Sequence, residues 1–160
     1  MTTFTAIDPA GKTHTRTSKT RTYTHTVVGL PSSTKATLAA MSPETRAYHR
    51  SNFKYHMAFV DGTSQWLRRN TFETEVQYLE RAAMEIERSA VELDGCDNAE
   101  DYVNMKIVQA HRGIREAMAR GYYDTYQNLG WCGRADLAAK LKTTSENRGW
   151  VNVTILQITC

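Results

Sequence analysis

Phe72, Val76, Leu79, Ala83, Ile86, Ala90 and Leu93 follow one another at spacings of four and three without a miss. An α-helix turns once in about 3.6 residues, so such a run lies along one side of a helix and needs a cover. Asp94-Gly95-Cys96-Asp97 interrupts it, and Val103, Ile107, Ala110, Ile114 and Ala117 resume the same spacing. The pattern predicts an antiparallel helical hairpin. Its seam can close against the partner helix, against a sheet, or against a second copy in a homo-oligomer; closure within the hairpin is the simplest of the three.

Start and stop signals frame the helices. Asn70 with Glu73, and Asp97 with Glu100, have the spacing of a capping box, in which each side chain satisfies the other residue's free N–H. Upstream, Ser42-Pro43-Glu44 places a capping hydroxyl before a proline at the first helical position, and Asp61-Gly62 closes that helix. Arg134 to Leu141 reads as a further short helix.

The ends of the chain read as strands. Side chains two apart share one face of a strand, and TFTAI near the N-terminus alternates in this way. So does THTRTSKTRTYTHT, residues 13–26, where Thr13, Thr15 and Thr17 have one parity and Thr20, Thr22, Thr24 and Thr26 the other. A turn near Ser18, Lys19 and Thr20 would set threonine opposite threonine in a hairpin, each pair worth roughly 0.2–1 kcal/mol. Asp8-Pro9-Ala10-Gly11 is good turn chemistry. Three strands are expected, near residues 2–8, 12–17 and 21–29. After Gly149, WVNVTILQI is apolar on both faces, as a central strand is. The expected fold is α+β: a mainly antiparallel sheet of N-terminal strands plus the C-terminal strand, with the hairpin and further helices inserted. At 160 residues this is one domain, 1–160, mainly helical over about 43–142.

Composition narrows the function. The first twelve residues have neither a basic nor an apolar leader region, and no stretch approaches the roughly 18 apolar residues of a membrane span, so a cytoplasmic protein with no membrane partner is expected. Cys96, Cys132 and Cys160 are odd in number and lack C-x-x-C spacing, which points to free thiols and neither disulfide nor zinc. No phosphate-binding glycine loop, nucleophile elbow or zinc-protease motif occurs, so no catalytic residues, metal or cofactor are assigned. His14 and His25 would lie near each other in the threonine hairpin as surface residues. His49 and His56, seven apart, stand about 10 Å apart on one helix face and cannot share an ion. Cys132 beside Trp131, with His111 distant in sequence, reads as an idle thiol.

FTAIDPAGKTHTR followed by RTYTHTVV, with Gly149-Trp150-Val151-Asn152-Val153 near the end, resembles small uncharacterised proteins encoded by phages of actinobacteria. The resemblance covers roughly the first thirty and last ten residues and leaves the helical middle unmatched. It implies no activity. It implies a setting: a small phage-type protein working in a bacterial cell.

Two surfaces then compete. Residues 1–70 hold ten Lys and Arg against three Asp and Glu, and residues 71–160 ten against fourteen, so a net charge of +3 divides into +7 and −4. Arg46, Arg50 and Lys54 repeat every four residues along the first long helix, while Lys12, Arg16, Lys19 and Arg21 decorate the hairpin with Tyr23 and His25 between them. Such cations can track phosphates while rings stack on bases, which makes nucleic acid one candidate partner. Tyr122, Tyr123 and Tyr126 form the other surface. Read as helical, 122 and 126 lie one turn apart and the three rings cannot share a face, so at least one stays exposed as an anchor for a host or phage protein. A non-enzymatic protein binder is the favoured expectation, and a nucleic-acid binder the alternative.

Overall fold

The computed structural model describes residues 1–159, with Trp66 described by its backbone alone. The fold is α+β. Its elements, in chain order, are β1 (Thr2–Ile7), β2 (Thr13–Ser18), β3 (His25–Leu30), α1 (Ser33–Ala40), α2 (Pro43–Val60), a 3-10 turn (Gln65–Leu67), α3 (Glu75–Leu93), α4 (Ala99–Ala119), a second 3-10 turn (Tyr122–Asp124), β4 (Gln127–Cys132), α5 (Ala135–Asn147) and β5 (Val151–Gln157). Two compact units result: Met1–Thr37 with Gly113–Cys160, and Leu38–Arg112.

In the first unit the β1–β2 hairpin forms around the expected turn. Asp8 Oδ1 accepts the N–H groups of Ala10 and Lys12 at 2.9 and 3.0 Å, and Gly11 takes φ +84°, which closes a three-residue loop. The threonines do oppose threonines, but the partners come from β1: Thr3 faces Thr17 and Thr5 faces Thr15. The expected second threonine strand over 21–29 is therefore corrected. Ser18 Oγ accepts the N–H of Arg21 at 2.8 Å, turning the chain, and β3 begins only at His25. The reason is burial. Val27 and Val28 point to opposite faces and are both fully buried, so β3 needs cover on both sides, which a polar hairpin cannot supply.

β3 is accordingly the middle strand of a second antiparallel sheet, ordered β4-β3-β5. The expected single sheet forms only in part: of the three N-terminal strands β3 alone shares a sheet with β5, while β1 and β2 make a two-stranded sheet of their own. Yet β5, expected to be central, lies at the edge, while β4 was not foreseen at all. The chain end also touches the first hairpin, since Thr5 and Thr159 exchange backbone hydrogen bonds at 3.1 and 3.0 Å. On one face Val27, Cys132 and Val153 meet Ala138 of α5, with Leu129, Leu141, Trp150 and Ile155 around them. Gly130 permits this contact, because a Cβ there would stand 2.6 Å from Leu141 Cδ2. Buried Thr26 stays satisfied: its Oγ1 donates to the Gly130 carbonyl at 2.9 Å and accepts from Asn128 at 2.6 Å.

His14 is not a surface residue near His25. It is buried, and its Nε2 lies 2.8 Å from the buried Asp8 carboxylate, whereas His25 stands on β3 beside Thr24. Hydrogen bonds from His14, Lys12 and Ala10 hold the Asp8 carboxyl below its ordinary value, outweighing the upward pull of burial. Cys96 and Cys132 are free, and burial pushes both thiols up, away from the reactive thiolate. Cys160, the third thiol of the sequence reading, lies outside the described residues.

In the second unit α2 starts and stops as its signals imply. Ser42 Oγ accepts the Thr45 N–H at 3.2 Å, Pro43 is the first helical residue, and Gly62 follows the end with φ +68°. α3 begins later than expected. Asn70 does donate its N–H to Glu73 at 2.9 Å, but the helix opens at the overlapping box one turn on, where Thr74 and Gln77 bond reciprocally at 3.3 and 3.0 Å. Glu73 is occupied elsewhere: Arg81 clasps it and drops its carboxyl to about 2. Phe72 is thereby left in a turn, 97% exposed, outside the seam it was assigned to. At the next start the cap is Asn98 rather than Asp97, for Asn98 Oδ1 accepts the N–H groups of Glu100 and Asp101 at 2.9 and 3.0 Å.

α3 packs closely on α2. α4 returns beside them, with Lys106 paired to Glu92 and Cys96 Sγ 3.8 Å from Met105 Sδ. Among the described residues Phe59, Tyr102 and Val103 are the buried apolar ones here, and buried Ser89 meets His56 Nδ1 at 3.3 Å. Burial, with Lys106 nearby, lowers the pKa of His49 below 6.5, and burial lowers that of His56 against the upward pull of Glu92. The unfolded chain therefore binds protons first. The stability these neutral histidines contribute is present above about pH 6.5 and is lost as pH falls through their folded values. Chemical denaturation at pH 7.5 and 5.5 should show a lower midpoint at the acid end, and a His49→Gln, His56→Gln variant should reduce the difference. An equal difference in both proteins would exclude these two groups.

Candidate protein-binding surface

The apolar line read from the sequence exists on α3, but it is not the line α3 buries. Ser89 marks the middle of the inward side, flanked by half-buried Tyr78, Ala82 and Glu85. At about 100° per residue, the line through Leu79, Ala83 and Ala90 lies roughly a quarter-turn away. Ile86 and Leu93 are half-buried on its near edge. Val76, Leu79, Ala83 and Ala90 are exposed, Val76 by 64% and Leu79 by 58%. Closure within the hairpin, the simplest expectation, is thus corrected.

Polar anchors account for the rotation. Arg81 donates to the Arg68 carbonyl at 2.9 Å as well as to Glu73, Ser89 meets His56, and Glu92 pairs with Lys106, whose ammonium sits 5.2 Å from the Tyr102 ring centroid. These groups share one side of α3, where Ser89 is fully buried and Arg81 and Glu92 are half-buried, and turning that side inward completes their hydrogen bonds and ion pairs. The helix turns its hydrogen-bonding side inward and keeps much of its apolar line in water. A second exposed apolar pair, Met84 and Val91, lines a cleft of about 340 Å³ together with Glu87, Arg88 and Glu92 of the same helix. Contiguous exposed apolar surface of this kind marks contact sites on soluble proteins.

The residues singled out from the sequence fare unequally. Arg46 and Arg50 turn to Glu100, at 3.1 and 2.5 Å, and the Arg50 hydrogen bond leads in lowering the Glu100 carboxyl, so of that stripe only Lys54 projects without an ion-pair partner among the described residues. Lys12, Arg16, Lys19 and Arg21 are exposed on and beside the hairpin, none within an ion pair among the described residues. Tyr23 offers no face to a base: it is buried edge-on to Phe4 and Trp131, with the Arg16 guanidinium 4.9 Å from its centroid.

The tyrosine cluster is not on a helix. α4 stops at Ala119, Gly121 takes φ +71°, and Tyr122 and Tyr123 occupy a 3-10 turn with their rings edge-to-face at 5.2 Å, before Tyr126 leads into β4. Tyr122 is exposed, while Tyr123 and Tyr126 are half-buried. One ring remains available, for a different geometric reason from the one expected.

Sequence reasoning missed the acidic border of the α3 line. Glu80 and Glu87 each follow an apolar residue of the run by one position, and Asp94 continues the series, so a seven-residue acidic repeat was visible in the sequence. Compared with known proteins, the chain matches no family model, no curated protein and no solved structure.

Proposed function

We propose that this chain is a non-enzymatic binding protein that captures another protein through the outward apolar line of α3. The observation that carries the reading is the exposure of Val76, Leu79, Ala83 and Ala90 in one row on a helix whose ends and inward side are firmly fixed. Partner helices recognise such rows at the i, i+3, i+4 and i+7 positions. Among the described residues no helix is long and apolar enough to cross a membrane. The resemblance of the terminal strands adds the proposed setting, the cytoplasm of a bacterial host, with a host or phage protein as partner.

The test separates folding from capture. Leu79→Asp should leave the denaturation midpoint within about 0.5 kcal/mol of the parent, as exposed substitutions do. It should remove most capture of a partner retained by the parent after nuclease treatment, and a photo-reactive residue at Ala83 should crosslink that partner. Unchanged capture by folded Leu79→Asp would end the reading.

The exposed hairpin cations support a second reading, nucleic-acid binding through Lys12, Arg16, Lys19 and Arg21. It requires duplex or single-strand binding that weakens steeply with salt and with glutamine at these four positions.

A further inference from the structure

Building on the reading of α3 as a binding face, we infer that its occupant is a cationic amphipathic helix, seated on the apolar row and held by lysine or arginine side chains against Glu80 and Glu87. The charge distribution on α3 is one-sided. Glu80 and Glu87 are exposed beside the row, Glu75 is exposed at its other border, and none of the three carboxylates has a hydrogen-bond or ion-pair partner among the described residues. The cations of α3 are unavailable to them. Arg81 and Arg88 lie about 100° round the helix from Glu80 and Glu87 and are held by Glu73 and Glu85.

Spacing fits the same occupant. Glu80 and Glu87 are two turns apart, about 10 Å, which a partner helix matches with cations seven residues apart. Val76 to Ala90 spans about 21 Å, the length of four turns. A second copy of α3 fits poorly. Packed antiparallel it would set Glu80 and Glu87 against their own counterparts, and packed parallel it would bring Glu80 to Glu75; in neither arrangement does a cation face a carboxylate. Anionic surfaces such as nucleic acid or an acidic bilayer are disfavoured on the same ground.

The experiment uses two synthetic 21-residue peptides with leucine in the apolar heptad positions, one flanked by lysine and the other by glutamate. Fluorescence anisotropy reads their binding to the intact protein, and sedimentation velocity reads its oligomeric state alone. The lysine peptide should bind at least about tenfold more tightly than the glutamate peptide, and Glu80→Lys with Glu87→Lys should reverse that order. Leu79→Asp adds negative charge, so it should strengthen a purely electrostatic attraction but abolish binding seated on the row. Val76→Asp repeats this test in the first helical turn, where a carboxylate suits the helix dipole. Equal affinity for the two peptides, preference for the glutamate peptide, or binding of neither would overturn the cationic occupant. So would a dimer of the protein alone that Leu79→Asp dissociates, although that result would keep α3 as a contact face. Lysine-peptide binding that survives both aspartate variants would overturn the inference and count against the apolar row itself.

Discussion

Tyr102→Ala is expected to unfold the helices of residues 38–112 at far lower denaturant than the parent. The ring is 1% exposed, stands 5.8 and 5.9 Å from the Phe53 and His56 rings, and carries the Lys106 ammonium above it. Truncating so large a buried aromatic typically costs about 3–5 kcal/mol, through lost transfer energy and the cavity left behind. That is a large part of the roughly 5–15 kcal/mol that holds a domain together. The cost should be felt fully, because Phe59 and Val103 are the only other fully buried apolar residues described in this unit. Tyr102→Phe keeps the ring and should cost about 1 kcal/mol, the scale of one hydrogen bond. Urea denaturation followed by far-UV circular dichroism distinguishes them. A Tyr102→Ala midpoint equal to that of Tyr102→Phe would mean that the three helices do not pack around this ring.

Val27→Asp should be worse still for the sheet unit. Val27 has no exposed surface, lies in the middle strand, and meets Cys132, Ala138 and Val153. A carboxylate there finds no donor and cannot reach water, which costs several kcal/mol whether it stays charged or takes a proton. Loss of soluble protein, or of all near-ultraviolet signal from Trp131 and Trp150, is the expected result. Val27→Ala removes only apolar contact, at about 2 kcal/mol, and should still fold and melt cooperatively. Native stability in Val27→Asp would place β3 at a surface and contradict the β4-β3-β5 order.

The sequence was decisive wherever a few neighbouring residues settle the conformation. Ser42 and Pro43 open α2, Gly62 follows its end, and Asp8 with Gly11 turns the first hairpin, because each satisfies backbone groups within four residues of itself. The α+β class and the meeting of the chain ends were legible for a related reason, since alternation and the four-three spacing are local periodicities. Strand partners were not legible. Threonine parity allowed Thr15 to face residues on either side, and the choice of Thr5 followed from the need to bury Val27 and Val28 between two other strands. β4 escaped notice because QNLGWC carries no alternation, and becomes a strand only when β3 offers it an edge.

The candidate surface divides in the same way. That α3 has an apolar line was written in the residues from Val76 to Leu93; that the line faces water was decided by Arg81, Ser89 and Glu92, whose partners Arg68, His56 and Lys106 lie 13, 33 and 14 residues away. Arg46 and Arg50 lost their claim to nucleic acid through Glu100, 54 and 50 residues distant. A periodic pattern fixes which residues share a side of a helix. Which side turns inward depends on the hydrogen bonds and ion pairs that the folded chain can complete, because a buried polar group left without a partner is costly.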